Sequence, residues 1–385
     1  MTRKPAKIVV EALPPATATA APDGDPKRLY FISGPVDFLM IGGLSIVTFL
    51  MLRAFYTGDR TDGVITLALQ FAWIVNWPHF AATSYRIYHS KSNVEQYPMT
   101  ALAIPWVILA GVFGCFAFPK ILAPYFVKLV AIWSPYHFSG QTLGISLVYA
   151  RRAGLKIEKM ERFALSSFIY GTFIAQTIRT ETGRQMFDDS GIAYPSIGLP
   201  DWTNTAANAW MILMGVVLVF LIARWCWQRK KLMPPIVLLP AATQFVWFVP
   251  GSNWQSFAEF VPFFHSMQYM LMAWSMQLKE KLDLKQIKPS PRYVMTESGR
   301  WWAINFFIGA CLFFFIPRFI GRFFGISQEF STGIIVGGVQ LHHFFIDGVI
   351  WKLKRKTVSS PLMATLGDMT GAAASAPGLP VGASA

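Results

Sequence analysis

The chain has 385 residues, of which 54% are hydrophobic and only 14% are charged, and its formal net charge is +14. Soluble domains carry about 25% charged residues, and a stretch of ~20 apolar residues spans the core of a bilayer. This composition excludes a set of ordinary soluble domains and predicts an all-α, polytopic transmembrane helical bundle. The basic residues lie in short connections, where they set membrane topology, so we expect no nucleic-acid partner.

Apolar segments long enough to span a membrane follow one another along the chain. Before them, residues 1–29 are polar and rich in Ala, Pro and Thr, and they predict a disordered cytoplasmic arm. The transmembrane domain covers 30–352, and 353–385 is rich in Ala, Gly, Ser and Pro and predicts a disordered cytoplasmic tail. About ten spans are predicted, near 36–56, 64–88, 100–118, 122–149, 162–179, 206–227, 232–250, 254–278, 301–320 and 331–352.

Basic residues alternate from one connection to the next, and this alternation supports the span count. With the N-terminus inside, the predicted inner connections contain Arg151-Arg152, Arg229-Lys230-Lys231 and Lys352, whereas the longest outer connection, 180–205, carries several acidic residues. Cytoplasmic loops of membrane proteins carry an excess of Lys and Arg. We therefore expect both termini in the cytoplasm and interpret the location as a bacterial cytoplasmic membrane.

Five of the six histidines lie within the predicted spans, whereas His89 lies in a polar connection and is expected to be solvated. Polar side chains are costly in a bilayer and usually face the bundle interior. All five lie on even-numbered spans, and at 1.5 Å per residue the four helices hold imidazoles ~10–21 Å from the inner basic edge. Tilt and kinks absorb such a spread. The five candidate metal ligands are His79, His137, His265, His342 and His343.

Two further residues are candidates for a catalytic role because they share a helix face with a histidine. Tyr269 follows His265 by four residues, and Asp347 follows His343 by four. Metal-bound imidazoles normally donate their other N–H to a carboxylate or carbonyl. We expect Asp347 to accept such a bond or to bind the metal directly, with an interfacial acid as the alternative. His342 points about 100° away from His343 around the helix.

Prolines and glycines, which interrupt regular helices, lie a few residues before the histidines in the sequence. Pro78, Pro135 and Pro262 precede His79, His137 and His265 by one, two and three residues, and Gly337-Gly338 precedes the histidine pair. Irregular helices are tolerated in membranes where they line a cavity inside the protein. Prolines and glycines are also common in membrane helices generally, so this feature gives only mild support for a site.

Histidine ligands, with or without a carboxylate, suit Fe, Cu or Zn rather than Mg or Ca. Inside a bilayer, iron would meet apolar substrates such as carotenoids, sterols or acyl chains, which favours a metal-dependent membrane oxygenase. A second hypothesis is a haem b electron-transfer subunit with pairs such as His137 and His265 as axial ligands. A third is a transporter or scaffold in which the histidines are packing or proton-relay groups.

In its architecture and its scattered intramembrane histidines, the chain resembles the Brp/Blh carotenoid-cleaving membrane dioxygenases. Pro78-His79 matches the first two residues of that family's Pro-His-Gly motif, with Phe80 in place of the glycine, and no Asp-His sequence follows. The resemblance implies an iron site held by histidines from several helices. It does not extend to the substrate.

Overall fold

The computed structural model describes residues 28–55, 61–183, 186–187 and 191–372. These residues form ten long helices and one antiparallel pair of short strands, β1 (Met186–Phe187) and β2 (Ala193–Tyr194). The helices are α1 (Gly34–Phe55), α2 (Asp62–Tyr88), α3 (Met99–Ala117), α4 (Leu122–Arg152), α5 (Lys159–Thr182), α6 (Trp202–Arg229), α7 (Pro235–Phe248), α8 (Val261–Lys285), α9 (Pro291–Phe324) and α10 (Gln328–Ile350). Short helices lie at Lys91–Gln96, Gln255–Ala258, Lys356–Ser359, Pro361–Met363 and Leu366–Thr370.

Seven helices in the described part of the chain are long and apolar enough to cross a membrane, by length and composition. They are α1, α2, α3, α6, α7 with the turn that follows it, α9 and α10. The helices α4, α5 and α8 are also long, with 31, 24 and 25 residues, but they carry more polar side chains. The predicted all-α class and the membrane-protein assignment are therefore confirmed, while these seven helices are fewer than the ten predicted spans.

Helix α8 lies at the centre of the bundle. Most of its side chains between Val261 and Leu282 are buried, and it packs against α1, α2, α9 and the segment Pro361–Met363. Its buried residues include polar ones, among them Ser266, Gln268 and Ser275. Polar side chains inside a membrane bundle are expected to face other helices rather than lipid, which explains why this helix is less apolar than the outer ones.

Several helices are interrupted by π-helical turns, and one of these precedes a histidine. In α2 the π-helical segment Ala72–Asn76 comes directly before Trp77, and Pro78 lies in the first turn of the α-helix that resumes there. Proline lacks a backbone N–H and is tolerated at the start of a helical turn, where that group has no partner. Single π-helical turns often occur at functional sites.

The two ends of the described chain meet at Arg152. This buried guanidinium donates to the backbone carbonyls of Leu29, Tyr30, Leu362 and Ala364 at 2.6–3.2 Å. The prediction of a disordered tail over 353–385 is therefore wrong for residues up to 372, which form short helices packed under the bundle. The rest of that tail and nearly all of the predicted arm lie outside the described residues.

Candidate metal centre

Four histidines from four helices converge at one buried point. They are His79 on α2, His137 on α4, His265 on α8 and His343 on α10. One ring nitrogen from each lies within 4.8 Å of those of the others. The rings are 0%, 9%, 2% and 1% exposed, respectively. This confirms the prediction that imidazoles from at least three of the even-numbered spans point to a common site.

Close backbone contacts set the position of two of these helices. A Cβ atom on Gly309 of α9 would lie 2.7 Å from the carbonyl carbon and oxygen of Trp77, two residues before His79. A Cβ on Gly338 of α10 would lie 2.8 Å from the side chain of Val112. Each glycine therefore lets two neighbouring helices approach more closely than a residue with a side chain would allow. Each also lies near a histidine of the site.

The closest pair of donors has the spacing of two ligands on one ion. Nε2 of His137 lies 3.1 Å from Nε2 of His343. Two nitrogens bound to one metal at ~2 Å lie about 3 Å apart when adjacent and about 4 Å apart when opposite. No two of the four nitrogens are more than 4.8 Å apart, which is within about an ångström of that range. Small side-chain rotations would therefore bring all four nitrogens to a single ion.

Buried ring nitrogens without hydrogen-bonding partners also fit a metal ion. They are Nε2 of His79, Nδ1 of His343 and both nitrogens of His265, for which the described residues provide no partner. A buried polar group without a partner costs about 1–3 kcal/mol, and native proteins leave few such groups. Nε2 of His79 and one nitrogen of His265 are therefore available to a metal ion that the cluster could hold.

One histidine has its tautomer fixed by a serine that the sequence analysis did not single out. Nδ1 of His79 lies 2.8 Å from Oγ of Ser266, and that hydroxyl donates to Oδ1 of Asn76 at 2.8 Å. The serine oxygen must therefore accept the Nδ1–H of His79, because its own hydrogen is used. Nε2 of His79 then carries the free lone pair that a metal requires. Outer partners of this kind orient metal-bound imidazoles.

The carboxylate of Asp347 lies at the edge of the cluster. Its Oδ2 is 3.4 Å from Nε2 of His343 and 3.7 Å from Nε2 of His137. Its Oδ1 is held by the Thr83 hydroxyl at 3.2 Å and by the indole N–H of Trp351 at 3.1 Å. Oδ2 therefore lies within reach of two of the clustered nitrogens, a position that fits either direct ligation or a hydrogen bond accepted from His343.

Tyr269, the second candidate catalytic residue, packs beside the histidines without touching their nitrogens. Its ring centroid is 4.4 Å from that of His79, and its hydroxyl lies 2.5 Å from Oγ1 of Thr83. Thr83 has one hydroxyl hydrogen, so it can donate to Asp347 only while it accepts from Tyr269. Thr83 therefore connects the two candidate catalytic residues, a role that the sequence pattern did not indicate.

The structure does not bring His342 into the cluster. Its Nε2 lies 3.0 Å from the Tyr88 hydroxyl, which in turn donates to the carbonyl of Ala101. The side chain thereby joins α10 to α2 and α3, on a different side of α10 from His343. His89 lies at the end of α2, where its ring stacks on Tyr85 with centroids 4.8 Å apart.

Two cavities border the cluster and share Phe344 in their linings. The apolar cavity has a volume of about 280 Å³ and reaches His137, Asp347 and Tyr269. Its other lining residues include Trp133, Tyr136, Gly140, Gly144, Phe344 and Gly348. The polar cavity has a volume of about 290 Å³ and reaches His265 and His343. It is lined in part by Asn76, Ser134, Gln176, Ser252 and Gln340.

Comparison with protein-family models, with curated proteins and with solved structures finds no match for this chain. The assignment of the site therefore rests on its geometry and its donor set.

Proposed function

We propose that this protein is a membrane-embedded, metal-dependent oxidoreductase that oxidises or cleaves an apolar, lipid-like substrate such as a carotenoid, a sterol or an acyl chain. The observation that carries the proposal is the convergence of four buried histidines, several with unpartnered ring nitrogens, beside a largely apolar cavity. A purely structural cluster would be expected to pair these nitrogens with other polar groups.

Among the metals that the donor set suits, our proposal is non-haem iron, because iron can activate O₂. Four neutral imidazoles and one carboxylate suit Fe, Cu or Zn rather than Mg or Ca. When bound, iron would supply the activation of O₂ that the oxidation of an apolar substrate requires. The four histidines would hold the ion, Ser266 would keep Nε2 of His79 available to it, and the carboxylate of Asp347 would offset part of its charge inside a low-dielectric bundle.

The packing of the rings favours a single ion over haem b. A macrocycle between two axial histidines separates their nitrogens by about 4 Å, twice the ~2 Å metal–nitrogen bond. His137 and His343 have nitrogens only 3.1 Å apart, and the rings of His137 and His265 are in edge-on contact with centroids 5.2 Å apart. These contacts leave no space for a porphyrin between the rings.

The apolar cavity is where we place the substrate. Tyr136 is half exposed at its edge, and Gly144 and Gly348 have no atom within 4 Å of the position that a Cβ would occupy. The cavity is therefore open on the outer surface of α4, the surface that would face lipid. A substrate dissolved in the bilayer would reach His137 and Asp347 without crossing water.

We also propose ten membrane crossings with both termini in the cytoplasm of a bacterial cell. Arg152 binds backbone carbonyls from both ends of the described chain, and two ends on one face require an even number of crossings. Helices α4, α5 and α8 would then span the membrane together with the seven apolar ones. The basic residues near Arg152 and Lys352 favour the cytoplasm for that face.

Element analysis of the detergent-purified protein tests the metal proposal. We expect about one iron per chain in the parent protein and none in a His265→Ala variant that still inserts and remains monodisperse. Oxygen uptake with bilayer lipid extracts, compared between these two proteins, tests the oxidoreductase proposal. A parent protein without any transition metal, in cells supplied with iron, copper and zinc, would favour the transporter or scaffold hypothesis instead.

A further inference from the structure

The polar cavity contains hydrophilic side chains that have no hydrogen bond to the protein. Ser134 on α4 and Gln340 on α10 make none with the residues that the structure describes, and Oε1 of Gln176 on α5 is buried without a partner. The inner wall is formed by His265, which is 2% exposed and has both ring nitrogens unpartnered. The oxygen of Gln176 and the nitrogens of His265 are buried, and unpaired polar groups of this kind are costly unless water reaches them.

The cavity meets the physical conditions for holding water. A buried water needs a polar site with two to four partners, and each water takes ~30 Å³ in the liquid, so a volume of about 290 Å³ has room for several molecules. The lining groups supply donors and acceptors on five different helices. The rest of the polar cavity is lined by apolar side chains such as Phe138 and Trp247. The apolar cavity, which has a similar volume, is lined mainly by aromatic and aliphatic side chains and glycines, with Gln141 as a polar exception.

The position of the polar cavity indicates the membrane face from which water would enter. Helix α7 begins beside Phe31 and Leu362, in the cluster at the two chain ends, and ends at Phe248. Ser252 lies just beyond that end, next to Asn253, whose side chain is bonded to Arg179 at an exposed position. The cavity therefore extends from the histidines toward the face opposite the two chain ends.

We propose that the polar cavity is a water-filled pathway that connects the histidine cluster with the membrane face opposite the chain ends and carries water and protons. The histidines then separate two compartments, an apolar one that opens toward lipid and a hydrated one. The proposal rests on the lining of the cavity and holds whether or not the cluster binds iron.

Cysteine accessibility tests this pathway in the full-length protein. Ser134→Cys places a thiol in the polar cavity, and Tyr136→Cys places one two residues further along α4, at nearly the same depth, beside the apolar cavity. A membrane-impermeant quaternary-ammonium methanethiosulfonate is applied to sealed vesicles of known orientation, and mass spectrometry locates the label. Since only the hydrated thiolate reacts, we expect Ser134→Cys to react at least about tenfold faster than Tyr136→Cys.

Two further variants make the outcome decisive. Ser252→Cys marks the entrance and should react from the face opposite the chain ends, and Gln340→Cys replaces Ser134→Cys if that variant does not yield monodisperse protein. Equal, slow labelling of the two α4 positions while Ser252→Cys reacts would overturn the proposal, as would labelling of the cavity only from the face of the chain ends. Metal content is not part of this readout, so a metal-free parent protein would refute the iron assignment and leave the pathway standing.

Discussion

Nε2 of His137 lies 3.1 Å from Nε2 of His343, although the two residues belong to helices α4 and α10 and are separated by 206 positions in the chain. Two neutral imidazoles at this distance either share one proton or direct both lone pairs at a common cation. Nε2 of His79 belongs to the same cluster and has no proton to share, because that ring carries its proton on Nδ1, and neither nitrogen of His265 makes a hydrogen bond. A cation accounts for all four rings at once, which a hydrogen bond between two of them does not.

Replacing the six histidines one at a time should divide them into those that are needed for metal binding and those that are not. We expect Ala or Gln at position 79, 137, 265 or 343 to lower metal affinity by more than the ~10–100-fold typical of losing an outer partner. His342→Gln and His89→Gln should retain the parental metal content, because neither ring lies in the cluster. Metal per folded chain, measured after size-exclusion chromatography, provides the comparison. Unchanged content in all four cluster variants would refute the site.

Much of this site could be predicted because its main signals are local in the sequence. Long apolar runs indicate membrane helices, and a polar residue inside such a run is expected to face the bundle. His137 and His343 were identified in this way, and the spacing of Asp347 from His343 follows from helical geometry. Even the separation of His342 from its neighbour follows from the 100° step between adjacent helical residues.

The features that were missed depend on contacts between distant parts of the chain. Ser266 and Thr83 act through partners 186 to 264 positions away, and a serine or threonine in a membrane helix carries no signal of its own. The ordered segment after Lys352 was missed because Arg152 binds its backbone carbonyls. Because every residue has a backbone carbonyl, the side chains of this segment gave no indication that it would bind Arg152.

Ser266→Ala should weaken metal binding without removing a ligand. The variant leaves Nδ1 of His79 and Oδ1 of Asn76 without their shared hydroxyl, so the ring loses the contact that fixes its tautomer. We expect metal affinity to fall by ~10–100-fold, as measured by competition with a chelator. Ser275→Ala is a matched control on the same helix, because that hydroxyl is buried without a partner. Equal affinities in the two variants would exclude the orienting role of Ser266.

Gly309→Ala should displace the start of the α2 segment that carries His79. The new Cβ would lie 2.7 Å from backbone atoms of Trp77, which cannot rotate away as a side chain would. Overpacking of this kind typically costs 1–3 kcal/mol, so we expect a lower melting temperature and reduced metal content. Gly299→Ala on α9 is the control, since nothing lies within 4 Å of its Cβ position. That variant should be as stable as the parent or slightly more stable.

Gly144→Leu should block the apolar cavity while leaving the metal centre intact. The position faces open space, with no atom within 4 Å of a Cβ, and a leucine side chain would occupy the volume beside His137. We expect parental metal content together with a loss of lipid-dependent oxygen uptake of at least about tenfold, because substrate position controls rate strongly. Gly144→Ala should have a much smaller effect. Full activity in the leucine variant would place the substrate elsewhere.

Asp347→Asn distinguishes a ligand from a structural acid. The amide keeps the size of the side chain, and its oxygen can still accept from Thr83 and Trp351. Its NH₂ group then faces Nε2 of His137 and His343, where it can donate a hydrogen bond but cannot bind a metal. For a direct ligand we expect metal affinity to fall by more than the ~10–100-fold typical of losing an outer partner, while the metal-free protein keeps the stability of the parent because the amide preserves both contacts of Oδ1.

Trp351→Phe is the matched control for this substitution, since it removes one donor to Oδ1 and leaves the carboxylate charge in place. If Asp347 binds the metal directly, Trp351→Phe should lower metal affinity much less than Asp347→Asn does. A purely structural acid predicts the reverse pattern, in which the asparagine variant retains the metal and loses thermal stability instead. Two measurements on the same preparations separate the two patterns. Chelator competition reports metal affinity, which changes if Asp347 is a ligand. Thermal unfolding of the metal-free proteins reports stability, which changes if Asp347 has only a packing role.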